Sequence, residues 1–298
     1  LWPATEAFNR SSILADYPMT LDVDWHSLPM TAAQPGPLRS HSGKLSVRGV
    51  PERYSFSLSS RLDHATWHVV TLRASGTGDS RSLRATAQAS LLDGSLDASG
   101  TWRWSPKPDW RVQLRGKDIN PARYAKDWPG RLTLVAALRG DHRRLRVQQA
   151  TLSGTLRGQP LRLTTRLAVD GRRYTLEHLA AHLGSASATA AGSVAGGYTL
   201  NWDIQAPDLS QLLPGARGEL SSRGSLAGPR DAPQVNASLQ GTGLAFRGYA
   251  AQRLVLRLDL DMQDIKESST HLQLAGYTAP QGELASITLS SSIVKSTV

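Results

Sequence analysis

Apolar and polar residues alternate along most of this chain. The segments WRVQLR at 110–115 and LVLRLDLD at 254–261 each place an apolar residue at every second position. Because successive side chains of a β-strand point to opposite faces of the sheet, each segment predicts a strand with one dry and one wet face. Such strands are typical of antiparallel sheets with one solvated face, and not of parallel sheets buried on both faces.

Turn-forming residues separate the alternating segments. Asp93-Gly94, Asp170-Gly171 and Gly196-Gly197 each lie between two alternating stretches. Such pairs favour the tight connection of a β-hairpin, because their residues tolerate the backbone angles that the turn requires. We therefore expect consecutive strands to pair with each other.

Helical patterns occur only in short pieces. Within residues 120–128, Asn120 is a favourable N-cap and Pro121 follows it at the first helical position. Asp208 opens a second piece at 208–213. The sequence therefore predicts a nearly all-β protein of about 19 strands, with helix confined to these two pieces.

The sequence also shows a repeat with a much longer period than the alternation. The segments GKLSVRG, GRLTL and GELSSRG begin at Gly43, Gly130 and Gly218, which are 87 and 88 residues apart. Repeats that contact mainly their neighbours form quasi-one-dimensional arrays, whereas chance similarity among glycine-rich strands is the alternative. We expect one continuous elongated domain, with a partly irregular N-terminal edge at 1–42, repeats of about 88 residues at 43–129 and 130–217, and a third repeat with a truncated tail at 218–298.

The composition narrows the possible chemistry. The chain has 298 residues, no cysteine and a net charge of +10. Without cysteine, disulfides, thiolate zinc sites and cysteine nucleophiles are excluded. The positive charge raises the question of nucleic acid or anionic lipid, but the arginines are scattered along the chain, which favours solvated strand faces. No run of about 18 apolar residues occurs and no signal peptide follows Leu1, so we expect an internal fragment.

Candidate metal and catalytic motifs are weak. His178 and His182 are four residues apart, but Leu179 stands where a metalloprotease motif needs glutamate, and the segment predicts a strand. A calcium site needs about six to eight oxygen ligands, so two aspartates alternating on a strand are more typical of its wet face. Those pairs are Asp22 with Asp24 and Asp259 with Asp261. We expect no enzyme activity, no metal and no cofactor.

A series of motifs resembles the TamB family. The segment GSLDASGTWRWSPKPDW at 94–110 leads to DINP at 118–121 and WPGRL at 128–132. The segments LSGTLRGQPL at 152–161 and APDLSQLLPG at 206–215 continue the family's order. The resemblance covers about residues 20–262. The triplet Leu28-Pro29-Met30 and the tail after about residue 264 depart from the family's pattern.

The resemblance implies a fold and a role. It implies a periplasmic protein of Gram-negative bacteria, tethered to the inner membrane by an N-terminal helix and acting with a TamA-like outer-membrane barrel protein. The family's sheet curls lengthwise into a hydrophobic trough, the β-taco, and the family is implicated in outer-membrane protein assembly and phospholipid transport. The alternating pattern is consistent with such a trough. A dry sheet face without a second layer must be buried by curling of the sheet, and a wide groove then accepts acyl chains.

The dry positions are the candidate site. The three tryptophans of 102–110 are better explained as core or groove lining than as a base-stacking platform, because they stand beside leucine and valine. The predicted groove-lining residues are Trp102, Trp104, Trp110, Val112, Leu114, Leu132, Leu134, Leu163, Leu200, Trp202, Ile204, Leu254, Leu256 and Leu258.

One alternative stays open on the sequence alone. The chain could be a surface or outer-membrane β-structural protein, a barrel or an adhesin-type solenoid, with no role in lipid transfer. A membrane barrel needs strands of about ten residues with aromatic girdles, and the alternating segments predict shorter strands with tryptophans clustered in mid-chain. An adhesin solenoid has a repeat much shorter than 88 residues.

Overall fold

The computed structural model describes residues 17–29, 39–63, 70–263 and 268–292. Within these ranges the protein is all-β, with eighteen strands that pair in antiparallel fashion and no α-helix. The predicted fold class is therefore confirmed. The chain divides into two compact units, residues 1–142 and 143–298. The repeat of about 88 residues and the domain boundaries drawn from it stay predictions.

The first unit is a meander in which each strand pairs with the next one in the chain. Its strands are β1 (Met19–Pro29), β2 (Arg39–Val50), β3 (Arg53–Asp63), β4 (Val70–Gly78), β5 (Ser82–Leu91), β6 (Gly94–Arg103), β7 (Asp109–Ile119) and β8 (Gly130–Gly140).

The second unit is also an antiparallel meander of neighbouring strands. Its strands are β9 (Arg144–Leu156), β10 (Gln159–Asp170), β11 (Arg173–Leu183), β12 (Ala186–Val194), β13 (Gly197–Ala206), β14 (Arg217–Pro229), β15 (Gln234–Phe246), β16 (Tyr249–Asp261), β17 (Ser269–Ala279) and β18 (Gly282–Ser292).

The hairpin turns lie where the turn signals predict them, each shifted by one residue from the predicted pair. Between β5 and β6 the turn residues are Leu92 and Asp93, both with positive φ, and Gly94 already belongs to β6. Between β10 and β11, Gly171 takes a positive φ of 58°. The dipeptide pattern therefore finds the hairpin but misplaces its centre by one residue, because asparagine, aspartate and glycine all tolerate this backbone region.

The two predicted helical pieces are single 3-10 turns. Asn120 caps the turn Pro121–Arg123, with its side-chain oxygen accepting the amide of Ala122. Asp208 caps the turn Leu209–Gln211 in the same way. The predicted positions and capping residues are confirmed, but each helix is shorter than the predicted range, because a wide connection between two strands leaves room for little more than one turn.

The expectation of short strands is wrong. The described strands are 9 to 13 residues long, so strand length does not argue against the outer-membrane alternative. The error arises in segments such as β14, RGELSSRGSLAGP, where glycine, serine and alanine give little contrast between faces. Backbone hydrogen bonding continues through these residues although the hydrophobic pattern fades.

Two predictions fall partly outside the described residues. The irregular N-terminal edge at 1–42 includes 1–16 and 30–38, and the atypical tail after about residue 264 includes 264–267 and 293–298. Within the tail, β17 and β18 are described and pair in the same antiparallel pattern as the strands before them.

Candidate functional site

The register of the first unit gathers its apolar residues on one side, which we call the apolar face of the first unit. Leu58 lies opposite Leu45 and Ala74, and Leu114 lies opposite Ala98 and Ala136. One cross-strand row through all eight strands contains Val23, Leu45, Leu58, Ala74, Ala87, Ala98, Leu114 and Ala136.

Most side chains on this face are half-buried. Along β3, β4 and β5 exposure alternates residue by residue, with the apolar positions partly covered and the polar ones exposed. Protein cores are close-packed, and their apolar side chains are fully buried. Among the described residues only ten apolar ones reach that state. A continuous apolar face that remains half-open is therefore the main candidate site.

The register places all six predicted lining residues of the first unit's strands on this face. Trp102 and Trp110 are direct cross-strand partners, and their rings stack with centroids 6.0 Å apart. Val112 and Leu114 follow on β7, and Leu134 lies opposite Gly116. The sixth, Leu132, lies opposite Ile119 beyond a bulge and is 4% exposed.

Trp104 differs from the other predicted lining residues. It follows the end of β6, its Nε1 donates to the carbonyl oxygen of Ser80 at 2.6 Å, and it is 36% exposed. Its backbone amide also donates to the carbonyl of Arg81. Trp104 thus joins the β6–β7 connection to the β4–β5 turn, and it lies outside the strand rows.

The second unit has its own apolar face. Leu163, Ile204 and Leu256 belong to one row, which runs through Leu152, Leu163, Ala181, Ala188, Ile204, Ser222, Leu239, Leu256, Leu272 and Leu289. Leu200, Trp202, Leu254 and Leu258 lie on the same face in neighbouring rows. The register thus gathers all seven predicted lining residues of this unit. That they contact lipid stays a prediction.

Aromatic rings lie across glycines on these faces. Trp202 is the cross-strand partner of Gly224, and a Cβ on Gly224 would be 2.5 Å from its Cζ2 atom. The same relation joins Trp25 to Gly43 and Tyr54 to Gly78. Each glycine leaves the space that the neighbouring ring occupies, so the ring lies flat along the sheet.

Indole N–H groups are satisfied by serines. Trp202 donates to Ser222 Oγ at 3.0 Å, and Trp25 donates to Ser40 Oγ at 2.6 Å. Ser40 is fully buried, and its hydroxyl also contacts Ser60 Oγ at 2.8 Å. Buried polar groups need such partners, so these serines make it possible for tryptophan to lie against an apolar surface.

The opposite, wet faces carry the charges. Arg103 Nε donates to Asp109 at 2.6 Å, and Arg223 pairs with Asp203. The hydrogen bond from Arg103 lowers the pKa of Asp109, and the hydrogen bonds from Gln205 and Arg223 lower the pKa of Asp203. Both carboxylates are accessible to water, so these pairs stabilise the fold weakly and mainly keep the outer surface solvated.

Four cavities lie on the wet faces. One of about 650 Å³ in the first unit is lined by Lys44, Arg73, Asp97 and Arg115 among serines and glutamines. A twisted sheet is concave along one diagonal on each side, which explains a hollow on a polar face. Apolar residues such as Leu58 also line it, but its charged side chains do not suit an acyl chain, so we place the candidate site on the apolar faces instead.

The two histidines considered above as metal ligands lie opposite arginines. His178 and His182 face Arg166 and Arg162 across β10. In the described ranges no cluster of three or more histidine, aspartate or glutamate side chains could hold a metal ion.

Several residues of the apolar faces were missed by the sequence analysis. On the first unit they include Leu45, Leu58, Tyr54 and Leu83, which belong to strands with alternating patterns that were not assigned to the groove. On the second unit Leu176 and Leu179 both face the apolar side although they are three residues apart, because β11 is bulged between them. Alternation could have found the first group, but the bulge hides the second.

No helix in the described part of the chain has the length and hydropathy of a membrane-spanning segment. The family model described as TamB, N-terminal domain, matches residues 11–292. The match extends beyond residues 20–262 on both sides and includes β17 and β18. No solved structure matches the chain.

Proposed function

The chain belongs to the TamB family, and we propose that its apolar faces hold phospholipid acyl chains and conduct phospholipid between the inner and outer membranes. The family is associated with the bacterial envelope and has a structural and transport role. The observation that carries the proposal is the continuous, half-open apolar row that crosses each unit.

The energetics favour an acyl occupant. Moving one CH₂ group out of water is worth about 0.8 kcal/mol, so a chain of many such groups gains strongly from any apolar surface along its path. The half-buried leucines and alanines of β3 to β7 leave such a surface partly uncovered. Transfer along it requires no bond to be made or broken, so we propose no catalytic residue.

The location and partners follow from the family and remain part of the proposal. We place the chain in the periplasm of a Gram-negative bacterium, tethered to the inner membrane in the full-length protein and acting with a TamA-like outer-membrane barrel protein. The charged wet faces, with ion pairs such as Arg48–Asp22 and Arg144–Asp170, suit an aqueous compartment. Assistance to outer-membrane protein assembly is the second role that the family suggests.

Native mass spectrometry tests the proposal. The chain is expressed in a Gram-negative host with a periplasmic signal, purified without detergent and analysed for bound phospholipid. We expect phospholipid adducts, and we expect the purified chain to accelerate transfer of a fluorescent phospholipid between vesicles. A chain without lipid and without transfer activity would contradict the proposal. If the chain instead bound an unfolded outer-membrane hairpin peptide, the assembly role would replace lipid conduction.

A further inference from the structure

The two ends of the strands in the first unit differ in character. At one end, the last apolar row before the turns contains Tyr54, Leu83, Trp102 and Trp110. We call this row, with the turns at 51–53, 79–82 and 103–109, the aromatic edge. Trp102 is 50% exposed there. The apolar face therefore ends, on this side, in an aromatic side chain that is open to solvent.

At the other end, several side chains of the apolar face are buried. Val70 at the start of β4 and Leu132 near the start of β8 are buried, and so are the hydroxyls of Ser40 and Ser60. We call this end the closed edge. Between the two edges the apolar rows contain mainly leucine, valine, alanine and glycine. From β3 to β8 the apolar face thus changes along the strand direction from aromatic to aliphatic side chains, whereas on β1 the aromatic Trp25 lies at the closed edge.

This gradient matches one half of a bilayer. Tryptophan and tyrosine concentrate at the level of lipid headgroups, because their rings are apolar and their N–H or O–H groups are polar. Burial, together with the nearby Asp79 carboxylate, raises the pKa of the Tyr54 phenol, which lies at this boundary. From Trp102 to Leu96 is six residues, or about 20 Å along the strand. One leaflet of a bilayer contributes about 15 Å of hydrocarbon.

The charges of the aromatic edge suit a phosphate group. Its turns contain four cations, Arg53, Arg81, Arg103 and Lys107, and three carboxylates. Each carboxylate already has a partner: Glu52 accepts from Ser80, Asp79 accepts the amides of Arg81 and Ser82, and Asp109 pairs with Arg103. Cations therefore exceed carboxylates by one at this edge.

The adjoining wet-face row adds to the positive charge. Arg84 lies opposite Thr101, which lies opposite Arg111, and Arg111 lies directly opposite Arg139. Like charges that face each other across two strands are destabilising unless an anion is near. Long arginine side chains can reach past the end of the sheet with their charged groups in water.

The edge is also held in a fixed arrangement. Ser80 Oγ donates to Glu52 at 3.0 Å, and the same residue's carbonyl accepts the Trp104 indole. Three successive turns, 51–53, 79–82 and 103–109, are thereby connected by hydrogen bonds. A fixed edge can hold a headgroup in one position, which a loose set of turns would not do.

From these observations we infer that the first unit orients a phospholipid, with its phosphate at Arg81 and Lys107, its glycerol level at Trp102 and Trp110, and its acyl chains directed toward the closed edge. This inference rests on the proposed function, since it requires lipid on the apolar face. It adds a direction and a headgroup position to that function.

Depth-dependent quenching tests the orientation. Because the chain has no cysteine, Leu83→Cys at the aromatic edge and Leu96→Cys nearer the closed edge can each carry one fluorophore, with Gln113→Cys on the wet face as control. Phosphatidylglycerol with a nitroxide near the glycerol or near the chain terminus is the quencher. The sites are separated by about 20 Å, so their ratios of quenching by the two lipids should differ by about twofold or more.

The outcomes separate the two claims. The inference predicts that the glycerol-end nitroxide quenches the Leu83 site more strongly and that the terminal nitroxide quenches the Leu96 site more strongly. Equal or reversed ratios, with quenching present, would overturn the orientation and leave lipid binding intact. Absence of quenching at both sites would overturn the proposed function, and the orientation with it.

A charge variant tests the headgroup position. Arg81→Ala combined with Lys107→Ala should weaken binding of phosphatidylglycerol by roughly fivefold to thirtyfold, since each cation near an anionic lipid contributes about 1 kcal/mol or less. The matched control, Arg61→Ala combined with Lys117→Ala, removes two exposed cations near the other end of the strands. Equal losses in both variants, or no loss in either, would contradict the assigned headgroup position.

Discussion

Trp202 covers Gly224 across β13 and β14, with its indole Cζ2 atom 2.5 Å from the position that a Cβ on Gly224 would take. The other close atoms include the backbone carbonyl of Asn236, so a side chain at 224 has no free direction. Since Trp202 also donates to Ser222, the ring cannot move away without losing a hydrogen bond.

Gly224→Ala is therefore expected to lower the free energy of unfolding by about 1–3 kcal/mol, because the added methyl group overpacks the site. The control is Gly196→Ala in the turn between β12 and β13, where nothing lies within 4 Å of the added atom. Urea unfolding followed by circular dichroism measures both. Equal stabilities for the two variants would show that the ring moves freely.

Ser40→Ala is expected to lower the free energy of unfolding by about 1–3 kcal/mol, because it leaves the Trp25 indole and the Ser60 hydroxyl without a buried partner. Ser57→Ala, an exposed position on the neighbouring β3, serves as the control and should change stability little. Urea unfolding measures the difference. A neutral Ser40 variant would mean that water replaces the hydroxyl at this site.

The cap at Asp208 gives a pH-dependent prediction. Hydrogen bonds from the hydroxyl and then the amide of Ser210 lower the pKa of Asp208 below its unfolded value. A lowered folded pKa means that the cap contributes stability above the unfolded pKa, about 3.9, and loses it as pH falls through the folded pKa.

Asp208→Asn should keep the capping oxygen and lose this titration, as Asn120 does at the other 3-10 turn. We expect the stability difference between wild type and Asp208→Asn to be constant from pH 7 to about pH 5 and to change in favour of the variant below about pH 4. Denaturant midpoints across this range measure it. A difference that does not change with pH would rule out this role for the carboxylate.

The apolar faces give a prediction about lipid binding. Leu114→Asp and Leu256→Asp each place a charge in the middle of an apolar row, and each should reduce bound phospholipid by about tenfold or more, since a charge is costly to bury against hydrocarbon. Gln113→Asp and Arg257→Asp are matched wet-face controls on the same strands. Native mass spectrometry measures occupancy, and circular dichroism checks that the sheet is retained. Equal lipid loss in controls and face variants would contradict the assignment of faces.

The sequence predicts the faces well where large and charged residues alternate. On β7, Trp110 to Arg115 assigns every side chain to its observed side. On β5 the dry positions Ala85, Ala87 and Ala89 are small, so the same alternation carries little hydrophobic signal and the strand contributes no residue to the predicted groove. In the structure these alanines lie on the apolar face because the hydrogen-bonded register places them there. The register does not depend on side-chain size.

Bulges mark the limit of prediction from the pattern. Gly116 and Ile119 on β7, like Leu176 and Leu179 on β11, face the same side although they are three positions apart. A bulge inserts residues into one strand only, so its position depends on the partner strand as much as on the local sequence. The difference between the exposed aromatic edge and the closed edge likewise cannot be predicted from the sequence of one strand. It arises because the fold brings residues of several strands to the same end.

Photo-crosslinking along β7 tests the central claim most directly. A photoreactive amino acid is placed in turn at positions 110 to 115 of the chain in a Gram-negative host whose phospholipids are radiolabelled, and adducts are counted after illumination. The account predicts a period of two, with phospholipid adducts at Trp110, Val112 and Leu114 and few or none at Arg111, Gln113 and Arg115. Adducts spread evenly over the six positions, or absent from all of them, would contradict the claim that the apolar face holds lipid.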